Sequence, residues 1–110
     1  MSRSRVIGTR WESDVVAYLV DHGFPEAERR ALHGGLDRGD IAGVPGVMLE
    51  CKAERSLDLA SYVDEVEIQT ANAKARIGAA VVKRRNRPTS DAYVVMTLAQ
   101  LVEILAEVRS

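Results

Sequence analysis

The sequence predicts an α/β domain: a mixed central β-sheet flanked by helices, in the order α-β-β-β-α-β-β-α. Three observations predict it. "GAAVVK" and "AYVVMT" are short apolar runs of strand length set between helical patterns. "GDIAGVPGVMLECK", residues 39–52, reads as a hairpin turning at Val44-Pro45-Gly46. Apolar stripes with a 3.6-residue period lie before the hairpin, after it and at the end of the sequence.

The first helix carries Trp11, Val15, Tyr18 and Leu19 on one stripe, widened by Val16 and Val20. Thr9 is its predicted N-cap, and "DHGF" with Gly23 its stop. Pro25 then opens an irregular or edge strand over about residues 26–32, whose charges suit an exposed edge. "HGGLDRG" is a glycine-rich connection. The hairpin strands are Asp40–Ala42 and Val47–Lys52. A long helix follows over residues 57–77, with Leu59, Tyr62, Val63, Val66, Thr70, Ala73 and Ile77 on its buried stripe. "GAAVVK" from Gly78 and "AYVVMT" are predicted buried strands, separated by the polar turn "RRNRPTS". Leu98, Leu101, Val102, Leu105 and Val108 mark the last helix.

The chain has 110 residues, enough for one domain, 1–110, with a single core. It is 46% hydrophobic and 28% charged, an ordinary globular composition. A net charge of -1 gives no global field for nucleic acid. The basic residues are nevertheless clustered: Arg3, Arg5 and Arg10 near the start, and Lys83, Arg84, Arg85 and Arg87 in one loop. Either cluster alone reads as a solvated surface. Cys51 is the single cysteine, which rules out an internal disulfide or a zinc-ligand set and fits a reducing compartment. No apolar run approaches the ~18 residues of a membrane span, and no apolar signal core follows the basic start. A cytoplasmic protein is expected, with neither membrane nor small-molecule cofactor as partner.

The hairpin's charges carry the chemistry. If it folds symmetrically about Pro45, residues whose numbers sum to 90 face each other, and Asp40 opposes Glu50. Directly opposed residues have Cβ atoms about 4.5–5.5 Å apart, where like charges repel. A divalent cation between them removes the objection. Mg²⁺ takes one or two carboxylates and completes its shell with water and phosphate oxygens. Glu50 and Lys52 share a strand face, whereas Cys51 points into the core with its backbone carbonyl still able to reach the metal. Lys52 would then orient water or stabilise charge developing on a phosphate. The rival reading is a fraying hairpin with a surface Glu50–Lys52 pair. The apolar "VMLE" leading into it argues against that.

"D…ECK" across a hairpin, after a helix with a glutamate in "GTRWE", resembles the PD-(D/E)xK nuclease superfamily. The closest resemblance is to the small archaeal and phage-type Holliday junction resolvases, and it covers nearly the whole chain. It implies a restriction-endonuclease-like fold and a metal-dependent, structure-selective DNA endonuclease that resolves four-way junctions by paired symmetric nicks. It implies Asp40 and Glu50 as metal ligands, with the Cys51 carbonyl and with Glu12 directly or through water. Lys52 would be the catalytic lysine, Mg²⁺ the cofactor with Mn²⁺ able to substitute, and a homodimer the working unit in a prokaryotic or phage-infected cell. Exposed apolar positions of the long helix are the expected dimer surface. Two departures stand out: Gly39 replaces the proline before the aspartate, and "HGGLDRG" has no serine.

Phosphate contacts are expected from Arg3, Arg5, Arg10, Arg38, Lys83, Arg84, Arg85 and Arg87. Glu12 has a second reading, because Thr9-Arg10-Trp11-Glu12 fits a capping box. His33 could serve as general base or phosphate contact but reads better as a solvated loop histidine. Gln69 lies where the resembled nucleases often carry a polar residue near the site but reads better as a boundary glutamine. Lys74 and Arg76 read as solvent-facing, and Trp11 as core rather than a base-stacking platform. Two other classes remain open: a related nuclease for flaps, nicks or mismatches, and a non-catalytic DNA-binding module with the same fold.

Overall fold

Helix formation starts earlier than the apolar stripe suggests. The computed structural model of the chain describes residues 3–31 and 35–109, and helix α1 spans Arg3–Asp21. Thr9 therefore lies inside α1 and is not its N-cap. Nothing in residues 3–8 breaks a helix, and a lone Gly8 costs only about 1 kcal/mol relative to alanine. Trp11 and Val15 are buried, and the Trp11 indole N–H donates to the Val81 carbonyl at 3.0 Å. That bond satisfies the ring's polar edge inside the core.

Five strands form one mixed sheet in the order β1 (Glu28–Arg29), β2 (Ile41–Ala42), β3 (Val47–Lys52), β4 (Ile77–Val82), β5 (Tyr93–Val95). The β3–β4 pair is parallel and the other three are antiparallel. A parallel pair needs a crossover, which helix α2 (Leu59–Asn72) supplies. A 3-10 turn, Thr89–Asp91, precedes β5, and helix α3 spans Leu98–Arg109. Strand alternation divides the core in two. Met48, Ala80 and Val82 face α2 through Tyr62 and Val66, while Val81, Leu49 and Cys51 face α1 through Trp11 and Val15.

Four expectations are corrected. The irregular or edge strand expected over residues 26–32 is regular over only two residues, both of them exposed as expected. Helix α2 ends at Asn72, where Lys74 adopts a left-handed φ of 53°, so Ile77 belongs to β4 and not to the helical stripe. Leu59, also expected on that stripe, is exposed. β5 is an edge strand whose Tyr93 and Val94 are exposed, although its sequence is as apolar as that of β4. None of α3's residues is buried; Arg76 holds the helix through Glu103 at 3.0 Å and through Glu107. Among the described residues, no helix is long and apolar enough to cross a membrane.

Helix α2 lies so close to β4 that a Cβ on Gly78 would meet Thr70 Oγ1 at 1.8 Å. This close packing brings the polar end of α2 down onto β3. Gly78→Ala should therefore lower stability in urea melts by about 1–3 kcal/mol, as overpacking usually does. Adding Thr70→Ala should restore more than half of the loss; no recovery would mean that the helix–strand approach is not the constraint.

Candidate functional site

The hairpin closes through Val47 N–H to the Val44 carbonyl at 3.1 Å, with Pro45-Gly46 at its corner. Ile41 pairs with Leu49, so the residue numbers do sum to 90 and Asp40 faces Glu50. Strand β2 is too short to continue the ladder, and the Asp40 side chain continues it instead. Its Oδ2 accepts the Cys51 N–H at 2.8 Å. The Asp40 N–H donates to the Leu49 carbonyl at 3.0 Å, and its carbonyl accepts the Arg30 N–H at 2.8 Å. The carboxylate is thus fixed at both ends of its residue.

Glu50 is 7% exposed. Burial, then the hydrogen bond and charge of Asp40, raise its carboxyl to about 9, against the opposing pull of Gln69 and Lys52. At neutral pH and without a cation, Glu50 holds its proton. Gln69 of α2 is also buried and donates its Nε2 hydrogens to Glu50 and, at 2.8 Å, to Asp37 Oδ2. Gln69 is therefore no boundary residue; its place on the Tyr62, Val66, Thr70 stripe was the available signal.

Lys52 shares the Glu50 face. Its ammonium donates to Glu65 Oε2 at 2.6 Å and lies 5.3 Å from the Tyr62 ring centre. Burial alone would lower its pKa, but the bond to Glu65 and the charges of Glu50, Glu65 and Glu54 raise it. Lys52 is held as a cation. Glu65 and Tyr62 are partners that the sequence reading did not single out. Cys51 packs on the α1 side, and burial with the nearby carboxylates pushes its thiol up, so the sulfur is inert.

Glu12 does not cap α1, since that helix starts at Arg3; the capping-box reading is set aside. Its Oε1 instead accepts from Arg29 Nε at 3.1 Å, while burial, opposed by Arg29, raises its carboxyl, with Asp40 adding to the rise. Glu12 and Asp40 line one cleft of about 730 Å³, together with Arg5, Arg29, Arg30 and Arg38. Arg5 and Arg38 were expected contacts, whereas Arg29 and Arg30 were read as an exposed edge. The 83–87 loop begins beside the site, because the Lys83 N–H donates to the Lys52 carbonyl at 2.8 Å. Within it, Arg84 stacks 4.8 Å from the Tyr93 ring, Arg87 pairs with Asp91 at 3.3 Å, and Arg85 is exposed. Arg10 is exposed on α1. His33 and the side chain of Arg3 lie outside the described residues.

Gly39 explains why a proline does not precede Asp40. Its φ is +90°, and a Cβ there would meet Met48 Sδ at 2.5 Å and the Leu49 carbonyl at 2.9 Å. Proline, locked near φ of about −65°, cannot make this approach to Asp40. The donors present are two opposed carboxylates. Among the described residues, no group of three or more His, Cys, Asp or Glu is set to hold one ion. Two carboxylates with water and backbone oxygen still fit the needs of Mg²⁺. No protein-family model, curated protein or solved structure matches the chain.

The proton on Glu50 has a measurable effect. Between pH 4.5 and about 9 the folded state binds more protons at this residue than the unfolded chain does. Stability at this site is therefore full in acid and lost as pH rises through that window. In metal-free buffer Glu50→Gln should flatten the fall and stabilise the protein near pH 8 by at least about 1 kcal/mol, because the amide is neutral there without taking up a proton. Thermal melts across pH would show it, and an unchanged slope would mean that Glu50 carries no extra proton in the fold.

Proposed function

We propose that the chain is a metal-dependent DNA endonuclease of restriction-endonuclease-like fold that resolves four-way junctions. One observation carries the reading: the Asp40–Glu50 pair, opposed by strand register, with Lys52 on the same face and an arginine-lined cleft at Asp40. A fold with no use for a cation gains nothing by opposing two carboxylates where one is buried. Asp40, Glu50 and the Cys51 carbonyl would hold Mg²⁺, with Mn²⁺ as substitute, and Glu12 would join through water. The bound ion supplies charge neutralisation at the phosphate and a more acidic water.

The chain's own residues do the rest. Asp40, anchored through the Cys51 N–H, keeps its second oxygen available for the site. Lys52, kept charged by Glu65, brings an ammonium to the face where a phosphate lies against Glu50. Arg5, Arg30 and Arg38 bind backbone phosphates in the cleft, and Arg29 does so once released from Glu12. Lys83, Arg84, Arg85 and Arg87 extend phosphate contact past Lys52, with Arg3 and Arg10 on α1 as outer contacts. Contacts of this kind give affinity and shape selection without reading base sequence.

Two symmetric nicks need two sites, hence a C2 homodimer. The exposed Leu101, Val102 and Leu105 of α3, with Tyr93 and Val94 of β5, offer more apolar surface for it than α2, where Leu59 and Ile68 are exposed.

A labelled four-way junction and a linear duplex of the same sequence, each with Mg²⁺, test the reading. The wild type should nick the junction at paired positions. Asp40→Asn, Glu50→Gln and Lys52→Gln should each lose at least about 100-fold, the scale of removing one transition-state partner. Equal cutting of the duplex would leave a nuclease without junction selectivity, open to flaps, nicks or mismatches as substrates. Tight junction binding with no cutting would make the chain a binding module.

A further inference from the structure

We propose that Asp37 and Gln69 are positioning residues that set the spacing of the two carboxylates and thereby the site's affinity for a divalent cation. The proposal rests on the metal-dependent reading above and names residues that reading does not use.

The geometry is a bridge. Gln69 Nε2 has two hydrogens, and both go to carboxylates: one to Glu50 on β3, the other to Asp37 Oδ2 in the loop before β2 at 2.8 Å. Asp37 Oδ1 accepts the Gly39 N–H at 2.9 Å. The Asp37 carbonyl accepts from Asn72 Nδ2, also at 2.8 Å. Gln69 and Asn72 are three apart on α2 and so lie on one face. The segment leading into Asp40 is therefore tied to α2 at two points, independently of its pairing with β3.

That tie has a job. Asp40 follows Gly39, which has no side chain to anchor the approach, and β2 has only two residues to fix it. Glu50 sits on β3, and α2 is the element that touches both segments. One amide on α2 therefore references both ligands to the same point. Its chemistry suits the task. An amide donates without adding positive charge, so it orients a carboxylate and leaves its negative charge for a cation, where a lysine or arginine would compete. Asp37 fits its own place for a related reason: it only accepts, and both of its oxygens meet N–H groups. Gln69 also gives up something, because its Oε1 is buried with no partner. An amide placed for stability alone would satisfy its oxygen too.

Asp37→Asn is the direct test. Asp37 is exposed, so the change leaves the core intact, and Asn has one acceptor oxygen for the two N–H groups of Gln69 and Gly39, so one tie of the bridge is lost. Mn²⁺ binding is followed by calorimetry on the full chain, beside thermal melts and the Mg²⁺ dependence of junction cleavage. Asp37→Asn and Gln69→Leu should each weaken Mn²⁺ binding about 10–100-fold, as loss of an outer partner of a metal ligand does. Half-saturating Mg²⁺ should rise in parallel, while metal-free junction binding and the Asp37→Asn melting temperature stay near wild type. Unchanged Mn²⁺ binding in Asp37→Asn, with wild type binding and cutting normally, would overturn the bridge and leave the nuclease reading standing. A wild type that neither binds Mn²⁺ nor cuts would overturn both.

Discussion

The hydrogen bond from the Cys51 amide to the Asp40 carboxylate is the constraint on which the site depends. Main-chain pairing with β3 gives out after the Asp40 N–H, and the Asp40 side chain takes the next rung. An unmet amide at that point of a half-buried strand would be costly, so the fold itself requires an acceptor there. Aspartate meets the requirement with one oxygen and has a second to spare. Structural need and chemical opportunity thus fall on a single group, and everything else in the site is placed relative to it: Glu50 across the ladder, Lys52 one pleat further, Glu12 through the cleft.

The elements around the pair hold charges that the interior would otherwise reject. Glu50 is buried against Asp40 and kept by a neutral amide. Lys52 is anchored outward by Glu65, an exposed partner that fixes it without cancelling Glu50. Such a site is destabilising by design and needs a scaffold that does not yield. The sheet supplies it: β3 and β4 pair along their full length, and α2 packs on β4 where Gly78 has no side chain to hold it off. Rigid elements rather than loops carry Glu50, Lys52 and Gln69.

How much of this was legible in the sequence depends on the range of the interaction. The hairpin, its register and the shared face of Glu50 and Lys52 follow from local geometry, the strand period of two and a Pro-Gly corner. The mixed sheet and its three helices follow from apolar periodicity. What failed was decided elsewhere. Thr9 looked like a cap because a capping box is a local pattern, yet the turn before it is helical as well. β5 looked buried because strand composition does not say whether a neighbour covers it. Gln69 and Asp37 are 32 residues apart, and no local rule joins a helix amide to a loop carboxylate. Arg29 and Arg30 read as edge guards, since the cleft they line is built from α1 and the loop before β2.

Gly39 has a consequence for the history of such a chain. Any other residue there adds a Cβ against Met48 and the Leu49 carbonyl and also forces an unfavourable φ. A chain built with this approach to Asp40 cannot take a proline at this position by a single substitution, since the backbone and the Met48 packing must change together. The position therefore works as a ratchet: the step into the acid is locked by its own geometry.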